Sequence, residues 1–452
     1  MGKHVIVVGG GIAGLAASII LARGGKSVTI FEKRKILGGR AITHLRHGYR
    51  FNLGPHAVYR GGPGAAVYRE LGVPVRGGVP KLRGIALLEG RRYRLPVAAI
   101  PLALTALLSA KEKLAAAALL FRIRRIDPRP FAHMTARQWL DAHVSHPRLR
   151  QFIEAMMRVA TYSDHADEQS AAVALGQLRI ASRGVTYVDE GWQKIVDSLH
   201  SNAVTAGVNF VTSSRIVGVV HEGGAVRAVE LGGLELEDIN DTLSVALPEI
   251  PPEGVQGTRL PADTVILAID PASAAELAGP ELSGDWTSLE PVTATCLDVA
   301  LSKLPVPKTT FAVGIDKPLY YSVHSASAQL TPRGGALIHV MKYRQRPAAM
   351  ANLELETAGG RKPEVAADER ELEGLLDEMQ PGWRDVLVHR RFLPSMTVSN
   401  ALVTPTTKRP SSSTLVRGLY LAGDWVGEEG ILSDASLTSA RAAARAILTS
   451  ET

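Results

Sequence analysis

The sequence predicts an α/β fold on a parallel sheet with an α+β unit threaded through it, and three observations near the N-terminus carry that prediction. "HVIVV" (4–8) is a continuous apolar run of strand length, "AGLAASIILARG" (13–24) has helical periodicity ending at glycine, and "SVTIFE" (27–32) is a second apolar run. Gly9, Gly11 and Gly14 lie between the first run and the helix body with the spacing of a phosphate-binding turn. Strand, turn, helix and strand make one complete βαβ unit.

The chemistry of such a unit follows from its backbone. Glycine lets the chain approach a pyrophosphate at the helix N-terminus, where free amides, here those of Ile12 and Ala13, and the helix dipole favour an anion. Glu32 ends the second strand, 18 residues after Gly14, where a carboxylate accepts hydrogen bonds from both ribose hydroxyls and repels a 2′-phosphate. NAD and FAD remain open at this point. The continuation "EKRKILGGR" places Lys33 and Arg34 directly after the acid, then a second glycine turn, Gly38 and Gly39, then Arg40. A nicotinamide enzyme has no evident use for that turn, whereas an arginine brought to the same pyrophosphate suits a cofactor that stays bound.

The arrangement E-x-R-x-x-x-GGR, followed by "GYRFNLGPH" (48–56), resembles the flavin-binding N-terminus of the superfamily of phytoene desaturases, protoporphyrinogen oxidases and flavin amine oxidases, with the desaturases nearest in pattern. "GLYLAGDWVGEEGILSDASLTSARAAARAIL" (418–448) is similar to its C-terminal flavin motif. The resemblance implies a Rossmann-type FAD-binding domain interleaved with an α+β substrate domain. It further implies that Gly54, Pro55 and His56 lie beside the isoalloxazine, that Gly423 and Asp424 serve the ribityl chain, and that the amides of Ile431 and Leu432 face the pyrimidine edge. Ile216 would lie beside the adenine, and Ala268 at the end of the closing strand "ADTVILAID". Asp434-Ala435-Ser436 and Ser439-Ala440 depart from the Gly-Ala and Ser-Gly pairs common in the family's helix. Ser433 or Asp434 is expected to cap that helix, and Trp425 to pack under the flavin.

The rest of the chain threads onto this plan. Residues 1–73, 187–285 and 394–452 are expected to form the FAD-binding domain, and 74–186 with 286–393 the substrate domain, the first part mostly helical. "TATCLDVAL", "TTFAVGI", "PLYYSVHS" and "GALIHVMKY" suggest an antiparallel sheet with one face turned to a cavity. Leu372, Leu375, Leu376 and Met379 mark a core-facing helix that Pro381 and Gly382 end. Gly232 to Leu260 reads as an acidic, proline-containing surface excursion.

Flavin chemistry asks little of side chains, because N5 accepts a hydride directly and the protein must mainly place a C–H bond and exclude water. His56 is the best-placed catalytic candidate; Tyr162, Tyr320, Tyr321, His324, His339 and Met341 are cavity or core. No H-E-x-x-H, G-x-S-x-G, Walker loop or cysteine pair occurs, and with Cys296 as the single cysteine no metal site is expected. That cysteine usage points to a reducing compartment, with cytoplasm the default, and the N-terminus reads as structure and not targeting.

The net charge of +7 is dispersed among acids, which argues against nucleic acid. Arg122, Arg124, Arg125 and Arg129 follow the apolar "LAAAALLF", a pattern that fits peripheral contact with a membrane and equally a buried helix ending in a solvated turn. Three function classes follow. An FAD-dependent dehydrogenase, desaturase or oxidase of an apolar small molecule, such as an isoprenoid or secondary-metabolite intermediate, leads, with oxygen, a quinone or another protein as electron acceptor. A flavin amine oxidase or a redox-neutral isomerase is the alternative. A non-catalytic carrier is the third, against which Glu32, Arg40 and Asp424 would have no use.

Overall fold

A computed structural model describes residues 4–81, 83–232, 258–345 and 363–450. The excursion read between Gly232 and Leu260 lies outside the described residues except at its ends.

The opening βαβ unit forms as its apolar runs dictate. His4–Val8 and Ser27–Phe31 pair in parallel, and Asn209–Val211, Thr264–Leu267 and Leu419–Leu421 complete a five-stranded parallel sheet. Strand order is 209–211, 27–31, 4–8, 264–267, 419–421, so strands distant in sequence flank the glycine turn. Leu15, Ala16, Ala17 and Ile19 of the first helix, Ile12–Arg23, are wholly buried against Leu437, Ala440 and Ala444 of the last, Leu432–Thr449. Alanines at that contact let the two helices approach closely and bury the sheet's central strands. The opposite sheet face packs on the hairpin Ile216–Glu222 and Ala225–Leu231 and the helix Pro271–Ala278.

The second sheet has seven strands in the order 387–399, 292–301, 336–343, 319–323, 311–314, 85–88, 91–94. All neighbours pair antiparallel except Phe311–Gly314 with Ile85–Leu88. The alternation read in the four segments after residue 286 thus forms the sheet's centre. Two features differ from the sequence reading. The segment after residue 74 adds a hairpin, Ile85–Leu88 and Arg91–Arg94, to the sheet edge, turned by Glu89 and Gly90 at positive φ. The strand Leu387–Ser399 runs past the 393/394 boundary; Pro394, which cannot donate to the ladder, sits where its register with Val292–Leu301 shifts.

One face of this sheet is covered by the helix Pro363–Met379, whose Leu372, Leu375, Leu376 and Met379 pack on Leu297, Val299, Ile338 and Val340. The other face looks toward the segment 49–54: Tyr49 donates to the carbonyl of Leu301 at 2.9 Å, and Gly54 lies against Met396. Helices Ala110–Ile123, Ala136–His143, Pro147–Thr161 and Ala171–Ala181 share a separate core. No helix among the described residues is long and apolar enough to cross a membrane.

Candidate active site

Each glycine of the first turn is required for a different reason. Gly9 has φ +106°, and a Cβ there would lie 2.6 Å from the carbonyl oxygen of Ala268. At Gly14 a Cβ would stand 2.0 Å from the oxygen of Gly9, so only glycine lets the helix lie this close to the turn. At Gly11 a Cβ would meet nothing within 4 Å. Neither packing nor positive φ explains glycine at that position; an incoming group approaching the backbone does. Gly11 is also the N-cap of the first helix and no side chain caps it, so the amides of its first turn are left to an anion.

The second turn closes on the first. Gly38 donates to the oxygen of Gly10 at 2.9 Å, and a Cβ on Gly39 would have Gly11 Cα, at 3.6 Å, as its only near neighbour. Glu32 is nearly buried; one carboxylate oxygen accepts from Gly10 N at 2.8 Å and the other from Arg34 N at 2.9 Å. Lys33 is exposed beside it. Ser213 and Ser214 donate to the carbonyls of Arg34 and Glu32, which brings the segment leading into Ile216 to the same end of the sheet. The sequence candidates of both turns therefore gather around one groove, with Ala268, whose amide bonds to the oxygen of Val8, as its floor.

The C-terminal motif meets this groove through Arg40. Its guanidinium lies 2.8 Å from Asp424 and also donates to the carbonyl of Val398 at 3.2 Å. The charge expected to neutralise a pyrophosphate is here matched by Asp424, which draws the second turn toward the end of the chain. Asn400, missed in the sequence, bonds Asp424 through its amide and its side chain, at 3.0 and 2.8 Å. Arg409, also missed, donates to the carbonyls of Asp424 and Gly430, at 3.3 and 3.0 Å. Only an arginine in a Ser- and Pro-rich loop hinted at it. Gly423 is fixed by Ser439, which accepts from its amide at 3.0 Å and donates to its carbonyl at 2.9 Å. Trp425 points into the core, donating to the carbonyl of Ile269 and packing on Trp286 with ring centroids 5.8 Å apart.

The capping expectation for the last helix is corrected. Its N-cap is Ile431, followed by Leu432 at φ +56°, and no side chain caps it. Asp434 instead turns to the N-terminus of the neighbouring helix Pro63–Leu71 and accepts from Gly64 N at 3.1 Å. Glycine at 62 and 64 makes room, since a Cβ at either would lie 2.0 or 2.4 Å from the carboxylate oxygens. Burial pushes the Asp434 carboxyl up to about 7, and its second oxygen is buried without a partner among the described residues. The amides around Ile431 and Leu432 are thereby left uncapped, as a binding edge for an electron-rich group requires.

Opposite these turns lies the sheet face carrying Cys296, Asp298, Tyr320, His339, Met341 and Tyr343. A Cβ on Gly54 would collide with Met396 and lie 3.8 Å from Cys296 Sγ, which shows how tightly the "LGPH" turn sits on this face. His56 bonds through Nδ1 to its own turn, Gly54 O at 3.1 Å, and stands edge-on to Trp192. Burial pushes its imidazole down to about 4, so it is neutral at physiological pH. Tyr162, Tyr320, His324, His339 and Met341 lie on this side. Tyr321 does not: strand alternation turns it to the helix side, where it donates to Thr309 O and accepts from Gln380. Asp298, Arg391 and Tyr187 belong to the face and were missed. Their signal was an aspartate at every-second-residue spacing from Cys296 inside an apolar strand.

Comparison with known proteins agrees with this geometry. The sequence profile of the flavin-containing amine oxidoreductases matches residues 12–291. A 4,4'-diaponeurosporene oxygenase of Staphylococcus aureus is 44% identical over 55 residues, a match spanning 12% of this chain and 11% of that protein. An oxidoreductase from Methanosarcina mazei superposes with TM-score 0.71 at 20% identity, over 99% of this chain and 100% of the other. Cyclohexylamine oxidase from Brevibacterium oxydans gives 0.65 at 14% identity over the whole of both chains. Putrescine oxidase bound to putrescine gives 0.69 at 15%, over 99% of each. With the profile covering more than half of the chain, the protein belongs to the flavin-containing amine oxidoreductase family.

Proposed function

We propose that this enzyme oxidises an apolar small molecule, of isoprenoid or secondary-metabolite type, and passes the electrons to oxygen, a quinone or another protein. The observation that carries this reading is the apolar half of the sheet face beside the "LGPH" turn, where Ala294, Cys296, Tyr320, Met341 and Tyr343 are buried with Tyr162 and Met396 packed against them. In this reading the amides around Gly9, Gly11, Ile12, Ala13 and Gly14 hold the FAD pyrophosphate, Glu32 with the Lys33–Arg34 and Ile216 segments takes the adenosine end, and Asp424 with Arg40 and Gly423 takes the ribityl chain. The uncapped edge at Ile431 and Leu432 stabilises negative charge on the pyrimidine ring. Bound FAD supplies a hydride acceptor at N5. The chain's own contribution is to hold the substrate's C–H bond toward that edge and keep water out, with His56 a neutral wall of the pocket. The two sheets are read as the cores of a discontinuous FAD-binding domain and a substrate domain, with the boundary drawn after Ser399.

Delivery from a membrane surface on the cytoplasmic side belongs to the same reading. The helices Ala99–Leu104 and Ala110–Ile123 expose Ile100, Leu104, Leu114 and Phe121, and the alanines between them are largely exposed as well. Lys111, Arg122, Arg124 and Arg125 rim this patch, with Arg125 stacked 3.9 Å over Phe121, while Arg129 is neutralised by Asp127. Flotation with vesicles containing phosphatidylglycerol should carry the protein, and Leu114→Glu should release it. The reaction is tested by anaerobic mixing of the yellow protein with apolar polyenes, tetrapyrroles and amines. Bleaching of the flavin band by polyenes or by their oxygenated or aminated derivatives supports the reading; bleaching by small hydrophilic amines alone replaces it with amine oxidation.

A further inference from the structure

The apolar sheet face beside the "LGPH" turn is interrupted by a polar cluster that hydride transfer from a hydrocarbon does not use. Asp298 and His339 are both wholly buried, and cross-strand pairing sets them opposite one another. His339 Nδ1 lies 2.6 Å from Asp298 Oδ1, and Arg391 Nε donates to Oδ2 at 3.1 Å. Cys296 Sγ donates to the same Oδ1 at 3.1 Å. Burial alone would raise the Asp298 carboxyl, but His339 and Arg391 outweigh it and hold it at about 2, so it is an acceptor only. Nδ1 is the nitrogen that faces the Asp298 carboxylate, and Nε2 is the nitrogen turned away from the pair.

That nitrogen is buried and has no hydrogen-bond partner among the described residues. Nor does Nδ1 of His324, whose ring stands edge-on to His339 at 4.4 Å, is stacked on Tyr187 at 3.8 Å, and has Nε2 within 3.3 Å of the Tyr320 hydroxyl. Buried polar atoms are satisfied in the great majority of proteins, and leaving one bare costs about 1–3 kcal/mol. Two unpartnered imidazole nitrogens beside one sheet face are open to a polar group brought by a ligand. Cys296, Asp298 and His339 are also close enough to ligate a cation, but Arg391 already brings positive charge to that carboxylate. The cluster adjoins the "LGPH" turn, because Cys296 Sγ would lie 3.8 Å from a Cβ on Gly54 and Arg391 donates to the carbonyl of Asn52 in the strand leading into it.

We infer that His339, oriented by Asp298, is the base of a polar subsite, and that the substrate is an apolar molecule carrying one hydroxyl or amine hydrogen next to the carbon that is oxidised. The inference rests on the proposed flavin reaction. For an alcohol, the C–H electron pair leaves as the hydride that FAD accepts, the O–H bond breaks, the C–O bond becomes C=O, and the proton goes to Nε2. Carbon is oxidised by two electrons and FAD is reduced by two. Asp298 and Arg391 are positioning residues: the carboxylate stabilises the imidazolium that forms, and the guanidinium holds the carboxylate.

The test compares farnesol, farnesylamine and the hydrocarbon farnesene as anaerobic reductants of the wild type and of His339→Asn, which keeps an N–H near Nδ1 and removes Nε2. The expected result is bleaching of the wild type by the alcohol or the amine and not by farnesene. The variant should be slower by roughly 100-fold or more, the usual contribution of a general base, with unchanged FAD content, thermal unfolding and dithionite reduction. His339→Gln, which places its amide near Nε2, checks against a folding defect. Reduction by farnesene at the same rate, no response to any of the three, or a variant as fast as the wild type would overturn the subsite. A wild type that holds no FAD would count against the flavin groove instead, so the two readings fail separately.

Discussion

The two faces of the seven-stranded sheet are made by the same strands and have opposite characters. Toward the helix Pro363–Met379 the strands present Leu297, Val299, Tyr321, Ile338 and Val340, a continuous aliphatic and aromatic core. Toward the "LGPH" turn the alternate positions present Cys296, Asp298, Tyr320, His339 and Met341. All ten residues of Val292–Leu301 are buried, so both faces have lost water, yet only one was built for stability. Burying an ion pair seldom gains on an apolar pair of equal size, so a buried Asp–His–Arg cluster is better explained by chemistry than by the fold.

The contrast is sharpest in what each face loses on truncation. Asp298→Ala should cost about 3–5 kcal/mol in urea unfolding, because Arg391 and His339 would remain buried and uncompensated. Leu376→Ala, on the opposite face, should cost about 3 kcal/mol as a cavity, with FAD content and flavin reduction unchanged in the folded fraction. Their pH behaviour should separate them further. The Asp298 carboxyl is held near 2, below its unfolded value of 3.8, so its stabilisation is present above about pH 4 and is lost as pH falls toward 2. Wild type and Leu376→Ala should share that acid limb, and Asp298→Ala should lack it. Equal losses with equal acid limbs would erase the distinction between the faces.

Asp434 gives a pH dependence of opposite sign. Its carboxyl is raised to about 7, so between about pH 4 and 7 the folded chain keeps a proton the unfolded chain has lost, and stability falls as pH rises through that window. Asp434→Asn should flatten this decline by up to roughly 4 kcal/mol, measured as thermal unfolding at fixed FAD concentration.

How much of this was legible follows from locality. The βαβ unit, both glycine turns, Glu32 and the C-terminal motif could be read because their chemistry is contained in short stretches: a buried run, a turn only glycine can make, an acid at the next strand's end. Asp434 was misread because the N-terminus it serves belongs to a helix some 370 residues away in sequence, and only packing reveals it. Asn400 and Arg409 escaped for the same reason. Tyr321 and Asp298 show a different failure. In a strand buried on both sides, hydrophobicity no longer distinguishes the faces, so alternation alone could not say which residues look toward the "LGPH" turn.

The central claim is that the open space beside Gly11 is where FAD meets the chain, and the absorption spectrum of purified Gly11→Val tests it most directly. The wild type should show the flavin band at about 450 nm, and the variant should fold, since a Cβ at residue 11 meets nothing within 4 Å, but be colourless. A folded Gly11→Val carrying a full complement of FAD would contradict it.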